Sequence, residues 1–434
     1  MSDAPRPLGF WSATALVIGS MIGSGVFLLP ASLAPYGAAT LIGWGITLCG
    51  VLLLSLCFAK LAARWPQTGG PYAYARNAFG ELAGFVIAWS YWISIWCGNA
   101  AIAVAFAGSL GKLVPGATST PVRATAAALA GLWLCSAVNL AGLKEAGFLQ
   151  LVSTALKFLP LLLFGAVAIW FVDAGNLTPF NPTGDSLPQV ANATAALTLW
   201  ALLGLEAATV PAGSIQDAER NVPRATMLGT LIAGVATILA CTAVLGILPA
   251  AVLQSSQAPM IDAAGLLWGE GAGKAIAVVA VLSCFGALNG WVMLSAQVPL
   301  AAARDGVFPR IFARTDPKGT PVFGVLIGSV LASALVLSNY NQSLVRVFTF
   351  AILLSTGATL LPYVASSLAW TVRGAGRTRW LSAAALAYSV YALAGIGRDA
   401  LVWGAVLVAA GLPVYFVVRR RAVRVNDPIR INPP

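Results

Sequence analysis

Two ionisable side chains in this sequence stand where water does not reach. Of fourteen Asp and Glu residues only Glu206 falls deep inside a long apolar segment, and of twenty-five Lys and Arg residues only Lys157 does. A charge in hydrocarbon is costly, so such residues tether helices or mark the paths of ions and protons. Glu206 follows Trp200 and Gly204 in Trp200-Ala201-Leu202-Leu203-Gly204-Leu205-Glu206. Lys157 lies in Thr154-Ala155-Leu156-Lys157-Phe158-Leu159-Pro160, too deep to snorkel to the interface. The chain has no histidine. A response to pH must therefore come from a carboxyl group or a lysine whose burial favours the uncharged form. Glu206 and Lys157 are the candidates for proton coupling, and the rival reading of each is a buried tether.

The second chemical feature is backbone. Gly23-Ser24-Gly25 sits at the centre of the first apolar segment, where each Gly costs about 1 kcal/mol against Ala in a helix. Unwound backbone survives in a membrane only where protein or a water-filled cavity satisfies its polar groups. A helix restarting there would aim free N–H groups at the midplane, a seat for a carboxylate. The sixth segment repeats the theme, with Gly204 beside Glu206 and Pro211 near its end.

These groups need elements to hold them. The chain is 59% hydrophobic and 9% charged, against roughly 25% charged in soluble proteins, so it is an integral membrane protein. Continuous apolar stretches exclude a barrel. Twelve spans are expected, near 9–33, 39–63, 84–112, 123–142, 147–172, 193–213, 225–249, 274–303, 321–339, 347–371, 381–397 and 400–418. With the N-terminus inside, Lys and Arg gather in the cytoplasmic loops, while the outer side receives only Lys112, Arg123, Lys274, Arg346 and Arg398. That asymmetry places both termini in the cytoplasm and the protein in the cytoplasmic membrane. The net charge of +11 is then a topology signal with affinity for anionic lipid, and nucleic acid is not an expected partner. The six cysteines fall within spans without disulfide or metal spacing. No cofactor is expected.

Breaks in spans one and six are five spans apart, and an odd-numbered repeat inserts its second copy upside down. Discontinuous helices at matching places point to a transporter's midplane site. The expected organisation is a short N-terminus at 1–8, one five-helix repeat at 9–172 and an inverted repeat at 193–371. Two further helices at 381–418 and a basic tail at 419–434 follow.

Four motifs then recur in order: Gly23-Ser24-Gly25-Val26-Phe27, Gly69-Gly70-Pro71-Tyr72-Ala73-Tyr74-Ala75-Arg76, Arg220-Asn221-Val222-Pro223-Arg224-Ala225-Thr226 and Ala303-Arg304-Asp305-Gly306-Val307-Phe308-Pro309. With them the chain resembles the amino acid–polyamine–organocation superfamily, most closely its basic amino acid/polyamine antiporter branch, typified by arginine/agmatine antiporters. The resemblance implies an all-helical, leucine-transporter-type fold with helices one and six broken, working by alternating access. By the same resemblance Ser24 and the N–H of Gly25 bind an α-carboxylate. Carbonyls of Met21, Trp200 and Leu203 receive an α-ammonium, and Trp291 stacks on the stem of arginine. Asn99 and Ser355 contact a guanidinium, and Tyr91, Glu206 and Tyr363 form a gate, Glu206 with a part in acid-dependent gating. Ser20, Ser94, Ile95 and Ile102 depart from the antiporter pattern. Lys157 departs too, toward proton-coupled members that carry a lysine on the fifth helix.

The function expected is exchange of arginine/agmatine-like cationic amino acids and amines. The alternative is proton symport of neutral or broad-range amino acids through Lys157. An enzyme would need a clustered nucleophile, base or metal set, and a channel would need rings of charge or carbonyls. Neither pattern is present. Expected partners are an amino acid or amine, protons, the bilayer and, as an option, a second copy in a homodimer.

Overall fold

The computed structural model describes residues 9–23, 25–65, 69–141, 158–209 and 215–426, with side chains as far as Arg420. Ser24 and Lys157 lie outside the described residues. Among the described residues the chain forms α-helices and short 3-10 turns and no sheet. Seven helical stretches are long and apolar enough to cross a membrane, with shorter apolar helices between them.

The first span is two helices, α1 (Phe10–Met21) and α2 (Gly25–Leu33). Next come α3 (Thr40–Arg64), the short α4 (Pro71–Phe79) and α5 (Glu81–Leu113). α6 (Pro121–Ala141) and α7 (Phe158–Phe171) complete the first half. The second half begins with α8 (Leu187–Trp200), which gives way to tight turns, and continues through α9 (Ala218–Ile247). The short α10 (Ala250–Ser255) and α11 (Pro259–Trp268) precede α12 (Glu270–Arg304), α13 (Val322–Leu337) and α14 (Leu344–Arg373). α15 (Thr378–Ala394), α16 (Arg398–Ala409) and α17 (Gly411–Asn426) follow.

The two halves repeat one another in detail. α4 and α11 each begin on Pro, which suits the first turn of a helix because its missing N–H would have no partner there. Each ends on a glycine with φ near +90°, Gly80 at 91° and Gly269 at 86°, a conformation costly for any residue with a Cβ. Each glycine is followed at once by a glutamate that opens a helix of more than thirty residues, 33 in α5 and 35 in α12. The contacts are exchanged between halves: α1 packs on α9, and α8 packs on α3. That is the pattern of two repeats related by a two-fold axis. α5 is almost wholly buried between α12 and α14 and forms the axis of the bundle.

Glycines set the closest approaches between helices, as small residues do in membranes. Gly43 of α3 lies against Thr194 of α8, and Gly50 against the ring of Tyr388 of α15. Hydroxyls also bond across seams of α3, Thr47 to Thr198 of α8 at 2.7 Å and Ser55 to Thr230 of α9 at 3.0 Å.

The last span differs from expectation. The segment anticipated at 400–418 is divided near Ala410, and its helix runs on to Asn426, so Arg419 and Arg420 are helical rather than the start of a tail. The cause is Trp89 of α5. Its Nε1–H donates at 2.9 Å to the carbonyl of Leu407, the acceptor an unbroken helix would offer Gly411. The indole fits because Gly411 has no side chain to meet it.

Candidate functional site

The two breaks lie against each other. α1 stops at Met21, where Ile22 turns extended at φ −80° and ψ 101°, and α2 restarts at Gly25. In the sixth span the helix tightens before it stops: Ala201, Leu202 and Leu203 donate to carbonyls three residues back. Gly204 then takes φ +101°, and Ala207 and Thr209 resume short turns onto Gly204 and Glu206. A Cβ on Gly204 would stand 3.0 Å from the Ser20 carbonyl carbon, and one on Gly25 would stand 3.2 Å from Ala201 Cα. Both glycines are thus required by backbone packing on backbone. The N-terminal N–H of Gly25 and the carbonyls near Met21 and Leu203 share this crossing. The Trp200 carbonyl already accepts from Leu203 N–H at 3.3 Å, leaving one lone pair for a further donor.

Beyond the crossing, Glu206 is 2% exposed and is the one buried ionisable acid or base among the described residues. Tyr91 of α5 donates its hydroxyl to Oε1 at 2.8 Å, and Tyr363 of α14 donates to Oε2 at 2.7 Å. The three residues expected to form a gate are therefore in mutual contact. An ionised carboxylate only accepts, and two phenols aimed at its two oxygens match that state. Through this one side chain α5 and α14 are both held to the sixth span.

The aromatic pair stands over α5. Trp200 and Trp291 have ring centroids 5.9 Å apart, inclined at 44°. Gly98 is their seat, since a Cβ there would lie 3.0 Å from Trp200 Cη2 and 3.0 Å from Trp291 Cζ3. Asn99 is fully buried, and among the described residues neither its amide nitrogen nor its oxygen has a partner. The Trp96 Nε1–H, three residues back on the same face of α5, is also buried without a partner. Unpaired buried polar atoms are costly, and three of them lie here within one turn of α5. Ser355 spends its hydroxyl hydrogen on the Ser94 carbonyl at 2.6 Å, so toward a ligand it can only accept.

Some contributors were not marked by sequence reasoning. Gly98 and Trp96 carry no mark of their own in the sequence, because the tryptophans that Gly98 seats lie about a hundred residues or more away along the chain. Phe58 was not marked either. Its ring packs edge-on to Tyr363 at 5.5 Å and reaches Tyr74 of α4 at 6.2 Å, linking the gate to the short helix. α4 is itself held at both ends. Tyr72 donates to Asp305 Oδ2 at 3.1 Å, Arg76 Nη1 stands 3.6 Å from the same oxygen, and Arg373 donates to the Ala78 carbonyl at 2.5 Å. Two motifs more than two hundred residues apart thus meet. Burial first, and the Asp305 carboxylate second, push the Tyr72 phenol well above its ordinary range, so it remains a donor at neutral pH.

The family model described as amino acid permease matches residues 8–418. The putrescine transporter PotE of Escherichia coli K12 is 31% identical over 97% of this chain and 98% of its own length. A putative arginine/ornithine antiporter of Bacillus subtilis is 33% identical over 84% of each chain. The cadaverine/lysine antiporter of E. coli K12 is 33% identical over 78% of this chain and 76% of its own. The fold matches that of Mhp1, a nucleobase-cation-symport-1 family transporter solved in a closed conformation with bromovinylhydantoin bound. The TM-score is 0.54 and the identity 15%, over 96% of this chain and 94% of that one.

Proposed function

The chain belongs to the amino acid permease family, and we propose that it exchanges cationic amino acids and their decarboxylated amines across the cytoplasmic membrane, arginine and agmatine among them. As a member of that family it is a multi-pass membrane transporter rather than an enzyme. The observation that carries the reading is the buried Glu206 carboxylate, held by Tyr91 and Tyr363 a short step from the paired breaks. The names of the relatives, a putrescine transporter and antiporters of arginine/ornithine and cadaverine/lysine, support the substrate class.

In this reading the α-carboxylate sits at Ser24 and the Gly25 N–H, where a helix N-terminus favours negative charge. The α-ammonium takes carbonyls of Met21, Trp200 and Leu203. The substrate's aliphatic stem lies against Trp291, whose ring face also suits a cation. The open amide of Asn99 and the accepting oxygen of Ser355 receive its polar end. Proton uptake by Glu206 displaces a phenol and loosens the hold of α5 and α14 on the sixth span, which opens the site to one side.

Counterflow in proteoliposomes tests this. Labelled arginine or lysine should enter only vesicles preloaded with a basic amino acid or diamine. Uphill uptake into empty vesicles, driven by a pH gradient, would instead favour the proton-coupled reading in which Lys157 carries the proton.

A further inference from the structure

α2 leads away from the first break and α8 leads down to the second, so their far ends share one face of the bundle with the start of α14. Between them is a cleft of about 500 Å³, lined by Ser32, Tyr36, Leu197, Arg346 and Thr349 among others. Through Arg346 and Thr349 it continues into a second cleft of about 540 Å³ that reaches Arg398 and Asp399. The floor is near the site: Leu197 is three residues before Trp200, and Arg346 stands nine residues before Ser355 on α14, about 13 Å of helix. One turn below Arg346, the hydroxyls of Ser32 and Thr349 meet at 2.7 Å and tie α2 to α14. The cleft thus opens at the surface over the ends of α2, α8 and α14, two of which lead to the paired breaks.

Its charge is uneven. Arg346 gives one Nη1–H to Gln342 Oε1 at 2.8 Å, and among the described residues no carboxylate pairs with it. Arg398 and Asp399 face the second cleft, and Asp185 lies near Tyr36. A guanidinium with its other N–H groups uncommitted is shaped to take a carboxylate in two parallel bonds. An amino acid and its decarboxylated amine differ by that one group.

We propose that Arg346 receives the substrate carboxylate in this cleft, so that the amino acid loads readily from this face and the amine, with only cations to offer, does not. The charge distribution of the loops makes this the outer face. Arg346 then makes the two faces kinetically unequal for the amino acid, lowering its KM from this face, while the gradients of amino acid and amine set the net direction of exchange. The inference rests on the exchange reading above.

The test uses right-side-out and inside-out membrane vesicles carrying the wild type, Arg346→Gln or Arg346→Lys, with arginine, arginine methyl ester and agmatine as probes. In Arg346→Gln the KM for arginine should rise about fivefold from the outer face, the size of one exposed charged contact. The methyl ester should be unaffected, agmatine should bind somewhat better, and all three should be unchanged from the inner face. Arg346→Lys, which keeps the charge without the two parallel bonds, should recover only part of the loss. Equal shifts for acid and ester, equal shifts from both faces, or no shift at all would overturn the role of Arg346 while leaving exchange intact. No exchange of basic amino acids or diamines by the wild type would overturn the exchange reading itself.

Discussion

Replacing Tyr363 by Phe removes one hydroxyl and leaves the ring. That hydroxyl donates a 2.7 Å bond to Glu206 Oε2 and also meets the backbone N–H of Gly204, both away from solvent. A hydrogen bond to a charged group contributes about 1.5–3 kcal/mol, so the substitution should cost about 2 kcal/mol. For a chain of 434 residues, an unfolding entropy of about 2.1 cal/mol/K per residue gives about 0.9 kcal/mol/K. The apparent unfolding midpoint should therefore fall by about 2 °C, within reach of a thermal-shift assay on purified protein. The sharper test is a double-mutant cycle with Glu206→Gln. The neutral amide offers one acceptor oxygen instead of two, so Tyr363→Phe should cost less than half as much in that background. A cost equal in both backgrounds would show that the phenol and the carboxylate are not coupled. The account of Glu206 as the link between helices would then fail.

Glu206→Gln alone should flatten the pH profile of exchange, because the amide cannot gain or lose the proton; a profile matching the wild type, measured in counterflow from pH 5 to 8, removes Glu206 from the coupling. Gly98→Ala places a methyl group 3.0 Å from both tryptophans and should raise the KM for arginine about tenfold, a cost typical of overpacking, with little effect on the midpoint of unfolding. Lys157→Ala should leave counterflow intact if the protein is an exchanger; loss of counterflow together with loss of pH-driven uptake supports the proton-coupled mechanism instead.

Much of the site was legible because it rests on residue types that hydrocarbon makes expensive. Glu206 stands out in an apolar segment whatever its neighbours are, and Gly204 and Gly23-Ser24-Gly25 are conspicuous as poor helix formers. The pairing of these features was not legible. That Tyr91 and Tyr363 reach opposite oxygens of one carboxylate depends on α5 and α14 flanking the sixth span, across sequence separations of 115 and 157 residues. The internal repeat was half visible. Its breaks were readable, while the Pro-to-Gly-Glu frames of Pro71–Gly80-Glu81 and Pro259–Gly269-Glu270 escaped notice because the residues between them differ.

By itself, then, the sequence determined the solvent in which the chain folds, its all-helical class, and where polar or helix-breaking residues interrupt the apolar segments. These depend on composition and local propensity, which act within a few turns of helix. Tertiary structure alone decided that Gly98 seats two tryptophans, that Trp89 divides the last span, and that Arg346 faces a cleft without a carboxylate partner. Each is a contact between helices far apart in the chain, set by which small residues let the backbones approach, and no local pattern encodes it.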